Sequence, residues 1–374
     1  MSSILVRCLN GGHPHGARDA PPLDSLDEAC ISACNRHGLR VHVCLGHEAP
    51  EVLLQAMTTT QASVHLVVLR VGSAYSMPSL LNMLSTLRRM SRQLFLCVFS
   101  ARVSDDARLR YECFTHGASM VTSAIEDAST IITKIAREDS SSSRHRGPYN
   151  CPLCGKGGMT EDTLWTHVPL FHINEKNKSD VPCPICATSS STKQHRSTPF
   201  QVHMHNAHGP PGRGELPSEF RAPESSLYCF ALVVVRHPLT KQFLLVQEFA
   251  CSGYWLPGGR VDAGETPDEA ALRETKEEAG LDIRLTGLLR LEYHPKTDSD
   301  GRSYVRMRFV FLGEPVDVNQ RPKSIPDYES AGATWCHVDE IKSLPLRGPE
   351  PIKYFEYVAG DGPVHPMSSM YMKR

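Results

Sequence analysis

The sequence predicts a multi-domain α/β chain: an α/β domain, a small metal-binding segment and a second α/β domain. Three observations predict it. Apolar strands alternate with helical stretches over 1–138, cysteines and histidines recur in pairs over 148–210, and further strands bracket a Gly-rich loop and an acidic helix over 225–360. At 374 residues the chain exceeds one ordinary domain of roughly 150 residues. Its 40% hydrophobic and 22% charged residues are those of a globular protein rather than a disordered one. A formal net charge of -1 gives no chain-wide field to attract nucleic acid or anionic lipid. No uninterrupted apolar stretch approaches the ~20 residues of a membrane helix. The opening MSSILVRCLNGGHPHG lacks the apolar run of a secretory signal. The expectation is a protein of the cytoplasm, with the nucleus as the alternative, and no membrane partner. Of the 13 cysteines, four form two Cys-Pro-x-Cys pairs among histidines, which reads as zinc binding in a reducing compartment.

Two stretches rich in Ser, Pro, Gly and charge divide the chain: EDSSSSRHRGP at 138–148 and GPPGRGELPSEFRAPES at 209–225. Neither has an apolar period, so both read as linkers. Before the first, residues 4–9, 41–45, 64–69 and 94–99 are strand candidates rich in β-branched and aliphatic side chains, with a shorter one at 119–122. Helical periods lie at 26–37, 80–90 and 105–115. Fully apolar strands alternating with helices predict a parallel sheet covered on both faces. This order, and FSARVSDDARLRYECFTHGASMVTSA with its Phe-x-x-Gly-Ala turn, resembles the flavodoxin-like receiver domain of two-component response regulators. The resemblance is to the scaffold. Where receivers carry the phosphorylated Asp, this chain has VVLRVGS with Arg70. Leu9, Asn10 and Gly11 replace their acidic pair, and Ser123 or Ala124 stands at their lysine. A domain lacking nucleophile, metal acids and cation is expected to be a degenerate, non-phosphorylated docking or regulatory module.

Residues 151–208 contain a repeat. Cys151, Cys154, His167 and His172 are spaced C-x2-C-x12-H-x4-H, and Cys183, Cys186, His203 and His208 are spaced C-x2-C-x16-H-x4-H. Zinc takes four tetrahedral N or S ligands, which a knuckle followed by a two-histidine helix supplies. Leu164 and Phe200, three residues before each first histidine, are positioned to pack behind the metal. A redox-active dithiol is the alternative, and in the longer second copy His195 or His205 could replace an assigned ligand. Such pairs resemble the fingers of drought-induced and ubiquitin-linked zinc proteins. Groove-tracking DNA readers repeat at fixed pitch, whereas INEKNKSDVP separates these copies. A structural role for Zn²⁺ at two sites, with protein rather than nucleic acid as partner, is therefore favoured.

The sharpest signal is GGRVDAGETPDEAALRETKEEAGLDI at 258–283. Thr266 suits an N-cap, Pro267 the first helical position, and Glu269 a capping box with Thr266. Gly280 stands where a left-handed terminator is wanted. Glu274, Glu277 and Glu278, at i, i+3 and i+4, share one helix face and repel one another. Divalent cations would neutralise that face, and hard carboxylate oxygens suit Mg²⁺ or Mn²⁺; a solvated acidic surface is the alternative. The segment fits the Nudix box G-x5-E-x7-R-E-U-x-E-E-x-G-U at Gly259, Glu265, Arg273, Glu274, Glu277, Glu278, Gly280 and Leu281, with Thr275 in place of a bulky aliphatic. By this resemblance the C-terminal part is a Nudix α/β/α sandwich. Residues 230–237 and 242–249 would form a hairpin leading to the Trp255-x-Pro257-Gly258-Gly259 turn, and strands would follow at 285–293, 304–312 and 333–337.

The resemblance implies hydrolysis of a pyrophosphate joining a nucleoside to another group. Glu274, Glu277, Glu278 and the Gly258 carbonyl would hold the metals, and Glu265 would pair with Arg273. Glu329, in DYESAGATW, is the candidate general base, with an ordinary loop carboxylate as its alternative. Arg306 and Arg308 are candidates for phosphate contact, and Trp255 or Tyr293 for stacking on a base; solvent-facing cations and core aromatics are the alternatives. Pro295, in EYHPKTDSDG and expected in a loop, hints at an ADP-ribose-like substrate. The NADH-pyrophosphatase signature Ser-Gln-Pro-Trp-Pro-Phe-Pro is absent. Two rivals stand beside this reading: a non-catalytic nucleotide-sensing adaptor that binds proteins through the fingers and receiver-like domain, and an RNA-end (cap) hydrolase.

Overall fold

The computed structural model describes residues 2–8, 25–36, 40–59, 64–141, 147–175, 181–188, 199–208, 227–298 and 301–370. The 209–225 linker, His195 and the Leu9–Asn10–Gly11 positions lie outside them. The chain divides into two compact units. The first holds residues 1–210 with 249–251 and 324–328, and the second holds 211–248, 252–323 and 329–374.

In the first unit the order is β1 (Ser2–Cys8), α1 (Ser25–Arg36), β2 (Arg40–Leu45), α2 (Ala49–Thr59), β3 (Val64–Val71), α3 (Met77–Met90), β4 (Phe95–Phe99), α4 (Ala101–Ser104), α5 (Ala107–Thr115), β5 (Met120–Thr122) and α6 (Ile125–Ser141). The strands run parallel in the order β2-β1-β3-β4-β5, the doubly wound flavodoxin-like arrangement. Alternate residues of β3 explain the two covered faces. Val67, Leu69 and Val71 enter one core with Leu80, Leu84 and Leu87 of α3, while Leu66 and Val68 enter the other with Cys30, Ala33, Ile131 and Ile135 of α1 and α6. Arg70, near the end of β3, donates to the buried Asp27 at 2.8 Å. One expectation needs correcting. Helix α6 runs on through Ser141, so the first linker does not begin at 138, and 142–146 lie outside the described residues. Ser and Asp only weakly disfavour the last turns of a helix whose earlier turns are held by packing.

The cysteine–histidine segment adds α7 (Glu161–His172), α8 (Pro184–Thr188) and α9 (Phe200–His208). Thr160 caps α7, accepting from Thr163 N–H at 3.2 Å, while Thr163 Oγ1 accepts from Thr160 N–H at 2.7 Å. Besides His167 and His172, α7 carries Leu170 and Phe171, which enter the core of α1 and α6. Phe171 meets Phe95 edge-on at 5.4 Å between centroids.

The second unit contains β6 (Leu227–Val235), β7 (Phe243–Gln247), β8 (Tyr254–Trp255), β9 (Gly258–Arg260), α10 (Pro267–Ala279), β10 (Ile283–Thr297), β11 (Ser303–Pro315), β12 (Ala333–Cys336) and α11 (Glu350–Ala359). Among the described residues it has a four-stranded sheet, β10-β11-β6-β9, and a three-stranded sheet, β12-β7-β8. The expected hairpin of 230–237 with 242–249 is therefore corrected. β6 pairs in parallel with β11 over nine positions, whereas β7 pairs with β12 and β8; the two runs are joined at their turn, by the Arg236–Phe243 bridge and by the His237 N–H donating to the Gln242 carbonyl at 2.8 Å. Past that turn the runs diverge into different sheets, where each is buried among the partners it finds there. Pro295 lies within β10 rather than in a loop, tolerated because β10 is an edge strand. Ala270, Ala271 and Ala279 let α10 sit close against Ala231, Val233 and Val246. No helix of the described residues is long and apolar enough to cross a membrane.

Phe171→Ala should destabilise the first unit by about 3–5 kcal/mol. Urea unfolding followed by Trp165 fluorescence, with Trp255 and Trp335 replaced by Phe, measures it.

Candidate functional site

Helix α10 is held at both ends. Glu269 accepts from the Thr266 N–H at 2.9 Å and its hydroxyl at 2.8 Å, and Gly280 ends the helix at φ 74°. Lys323 Nζ donates to the Glu277 carbonyl at 2.7 Å and Gln320 to that of Gly280 at 3.0 Å. Thr275, in the position that departs from the box, is fully buried and returns its hydroxyl to the Ala271 carbonyl at 2.7 Å.

That anchoring fixes the acidic face. Arg273 makes a bidentate pair with Glu265 at 2.8 and 2.9 Å and reaches Glu274 at 2.8 Å and Glu277 at 3.0 Å. The guanidinium holds Glu265 below the usual carboxylate range. Gly258 and Gly259, at the start of β9, lie between the helix and β6: a Cβ on Gly259 would stand 2.4 Å from the Glu274 carboxyl, and one on Gly258 would stand 2.2 Å from the Ala231 carbonyl of β6. Gly258 N–H donates to Glu278 at 2.9 Å. Burial pushes Glu274 up to about 7 against the pull of Arg273, with Glu277 and Glu329 adding repulsion. Burial pushes Glu278 up as well, Gly258 N–H opposing and Glu248, Glu274 and Glu329 reinforcing. Two desolvated carboxylates amid further acids, with one arginine among them, form a donor set that fits hard divalent cations.

Glu329 thus stands close enough to act electrostatically on both Glu274 and Glu278. Trp255 is buried, and Arg347 lies over its ring at 5.4 Å. Arg308 is held by Glu292 at 3.4 Å and Glu350 at 3.6 Å, and Arg306 lies over Phe230 at 4.9 Å. Tyr293 is not brought to them. It alternates with Glu292 and His294, which pair with Arg308 and Arg306, so it faces the other side of the ribbon; there it is 65% exposed.

The sequence reading missed Glu248, which pairs with Arg347 at 3.2 Å, and Tyr354, whose hydroxyl donates to Glu292 at 2.5 Å. Burial raises the Glu292 carboxyl, but Tyr354, His294 and Arg308 bring it net below its usual range. No motif marks these residues. Only the end of an apolar run, for Glu248, and the apolar face of an amphipathic helix, for Tyr354, could have drawn attention to them.

In the first unit the eight predicted zinc ligands gather as two clusters. Within each, the donor atoms lie within 4.8 Å of one another. Cys154 Sγ is 3.4 Å from His167 Nε2, which is 3.2 Å from His172 Nε2. His208 Nε2 is 3.3 Å from both Cys183 and Cys186, and His203 Nε2 is 3.4 Å from Cys186. Tetrahedral bonds of about 2.0–2.3 Å have edges of roughly 3.3–3.8 Å, so both clusters fit zinc. Leu164 and Phe200 are buried behind them. His205 is outside its cluster, its ring against Tyr328 at 5.2 Å.

Residues 229–357 match the sequence profile of the NUDIX domain, and residues 148–209 that of the drought induced 19 protein (Di19), zinc-binding. The 8-oxo-dGDP phosphatase NUDT18 of Homo sapiens is 35% identical over 149 residues, 39% of this chain and 43% of that protein. That of Mus musculus is 37% identical over 110 residues, 29% of this chain and 32% of that protein. The chain thus spans less than half the length of either relative. A NUDIX hydrolase structure from Nitrosomonas europaea is 23% identical with a TM-score of 0.30, covering 39% of this chain and 97% of that one.

A carboxyl raised from its ordinary 4.5 to about 7 in the folded state costs stability as pH rises between those values, because the unfolded chain ionises first. Without metal, Glu274→Gln should therefore gain in melting temperature over wild type from about pH 5 to about pH 8, and Mg²⁺ should close the gap by stabilising only the wild type. Thermal melts across that range check it.

Proposed function

We propose that this chain, with its Nudix domain at 229–357 behind a Di19-type zinc-binding segment, is a Mg²⁺- or Mn²⁺-dependent pyrophosphohydrolase acting on a nucleoside diphosphate derivative. The observation that carries this is the gathering of Glu274, Glu277 and Glu278 by one helix against the Gly258–Gly259 turn. Glu274, Glu277, Glu278 and the Gly258 carbonyl are the residues that would hold the cations. Bound there, the metals would screen the pyrophosphate, orient it and lower the pKa of the attacking water.

The chain's own groups have separate parts. The Glu265–Arg273 pair fixes the loop to the helix and steadies Glu274 and Glu277. Glu329, among these acids, takes the proton of the attacking water. Arg308, rather than Arg306 stacked on Phe230, is the cation assigned to phosphate, with Arg347 joining it; Trp255 is assigned an apolar wall, and Tyr293 no part at this site. The substrate class favoured is that named for the human relative, an oxidised purine nucleoside diphosphate, ahead of the ADP-ribose-like compounds suggested by Pro295. The two Cys₂His₂ clusters hold structural zinc, and the N-terminal α/β domain is a receiver-like docking module for a protein partner.

Hydrolysis of 8-oxo-dGDP, ADP-ribose, NADH, diadenosine polyphosphates and capped RNA with Mg²⁺ or Mn²⁺ tests the reading. One compound should be cleaved at its pyrophosphate, and Glu277→Gln/Glu278→Gln should lose roughly 10²–10³-fold or more in kcat, the worth of several kcal/mol of metal stabilisation. Undiminished activity in the double variant would contradict it. Nucleotide binding without turnover by the wild type would favour the adaptor.

A further inference from the structure

The two zinc clusters are not independent. In the first, His172 directs Nε2 into the cluster and holds Nδ1 against Glu175 at 2.8 Å, a carboxylate three residues on in the same finger. In the second, His208 likewise directs Nε2 at Cys183 and Cys186, but its Nδ1 lies 3.0 Å from Glu161. Glu161 is the first residue of α7, the helix that carries both histidines of the other finger. The link is returned: the buried Gln201, on α9, donates to the carbonyl of His172 at 3.0 Å.

A histidine that binds metal through one nitrogen donates its other N–H to an acceptor, which fixes the tautomer, aims the ring and raises ligand basicity. We propose that Glu161 is the positioning residue for His208, so that the second finger's zinc affinity depends on the first finger's helix. This rests on both clusters binding zinc. The physical consequence is that the second finger's ligand set is complete only once α7 has formed. Until α7 is formed, Glu161 has no fixed place, and His208 must find its orientation against water alone. The second insertion, sixteen residues between Cys186 and His203, makes its ligands costlier to order, so an external carboxylate has most to contribute there.

An acid in the first turn also favours the helix itself, so the test separates the two effects. Asp162, the neighbouring first-turn acid, provides the control. Zinc is titrated into the full-length protein against a chromophoric chelator, and Co²⁺ absorption reports ligand geometry. The wild type should bind two zinc ions. Glu161→Ala should weaken one step by about 10–100-fold, the same step that Cys186→Ser abolishes, and leave the other unchanged. Glu161→Gln, whose amide oxygen still accepts the N–H, should recover most of the affinity, and Asp162→Ala should change neither step. Unchanged affinities in Glu161→Ala, or an equal loss in Asp162→Ala, would overturn the coupling while leaving zinc binding intact. A wild type that binds no zinc would overturn both.

Discussion

Carboxylates brought out of water at one end of a helix set the terms for the second unit. Glu274 and Glu278 both lean toward the protonated state because they are desolvated and face further acids. Such an arrangement is costly unless cations complete it. The features around it keep the acids together despite that cost: the cap at Thr266, the left-handed Gly280, the alanines that let the helix sink between two sheets, and Arg273 spread over three glutamates. The glycine turn belongs to the same arrangement, since any Cβ on Gly259 would occupy the space of the Glu274 carboxyl.

The first unit solves a different problem. A zinc finger is too small to bury a core by itself, and here α7 uses one flank for metal ligands and another for the neighbouring core through Leu170 and Phe171. The parallel sheet gains cover for Phe95, and the finger gains a support that does not depend on metal. Arg70, on β3, pairs with the buried Asp27 of α1, an ion pair that ties the sheet to the helix covering it.

Much of this was legible in the sequence because it depends on local spacing. The i, i+3, i+4 acids, the N-cap and C-cap residues and the Cys-x2-Cys knuckles act within one or two turns, and the folded positions match. What spacing cannot encode is which sheet a buried strand joins. Residues 230–237 and 242–249 are adjacent and equally apolar, yet β6 finds its partner in β11, some 75 residues later. Tyr293 shows the same limit at one residue's scale: its position in β10 says nothing of whether it shares a face with Arg306 and Arg308 of β11 until the register of the two strands is set. Glu248 and Tyr354 were invisible because their partners, Arg347 and Glu292, are remote in the chain.

Direct cation binding tests the role of the acidic face of α10 without reference to any substrate. Mn²⁺ titrated into the full-length, zinc-loaded protein can be followed by the loss of its free-ion paramagnetic resonance signal. A bound population is expected at micromolar to millimolar Mn²⁺, one that Mg²⁺ displaces and that Glu274→Gln or Glu278→Gln removes. Mn²⁺ that stays free, or binding that survives both substitutions, would contradict it.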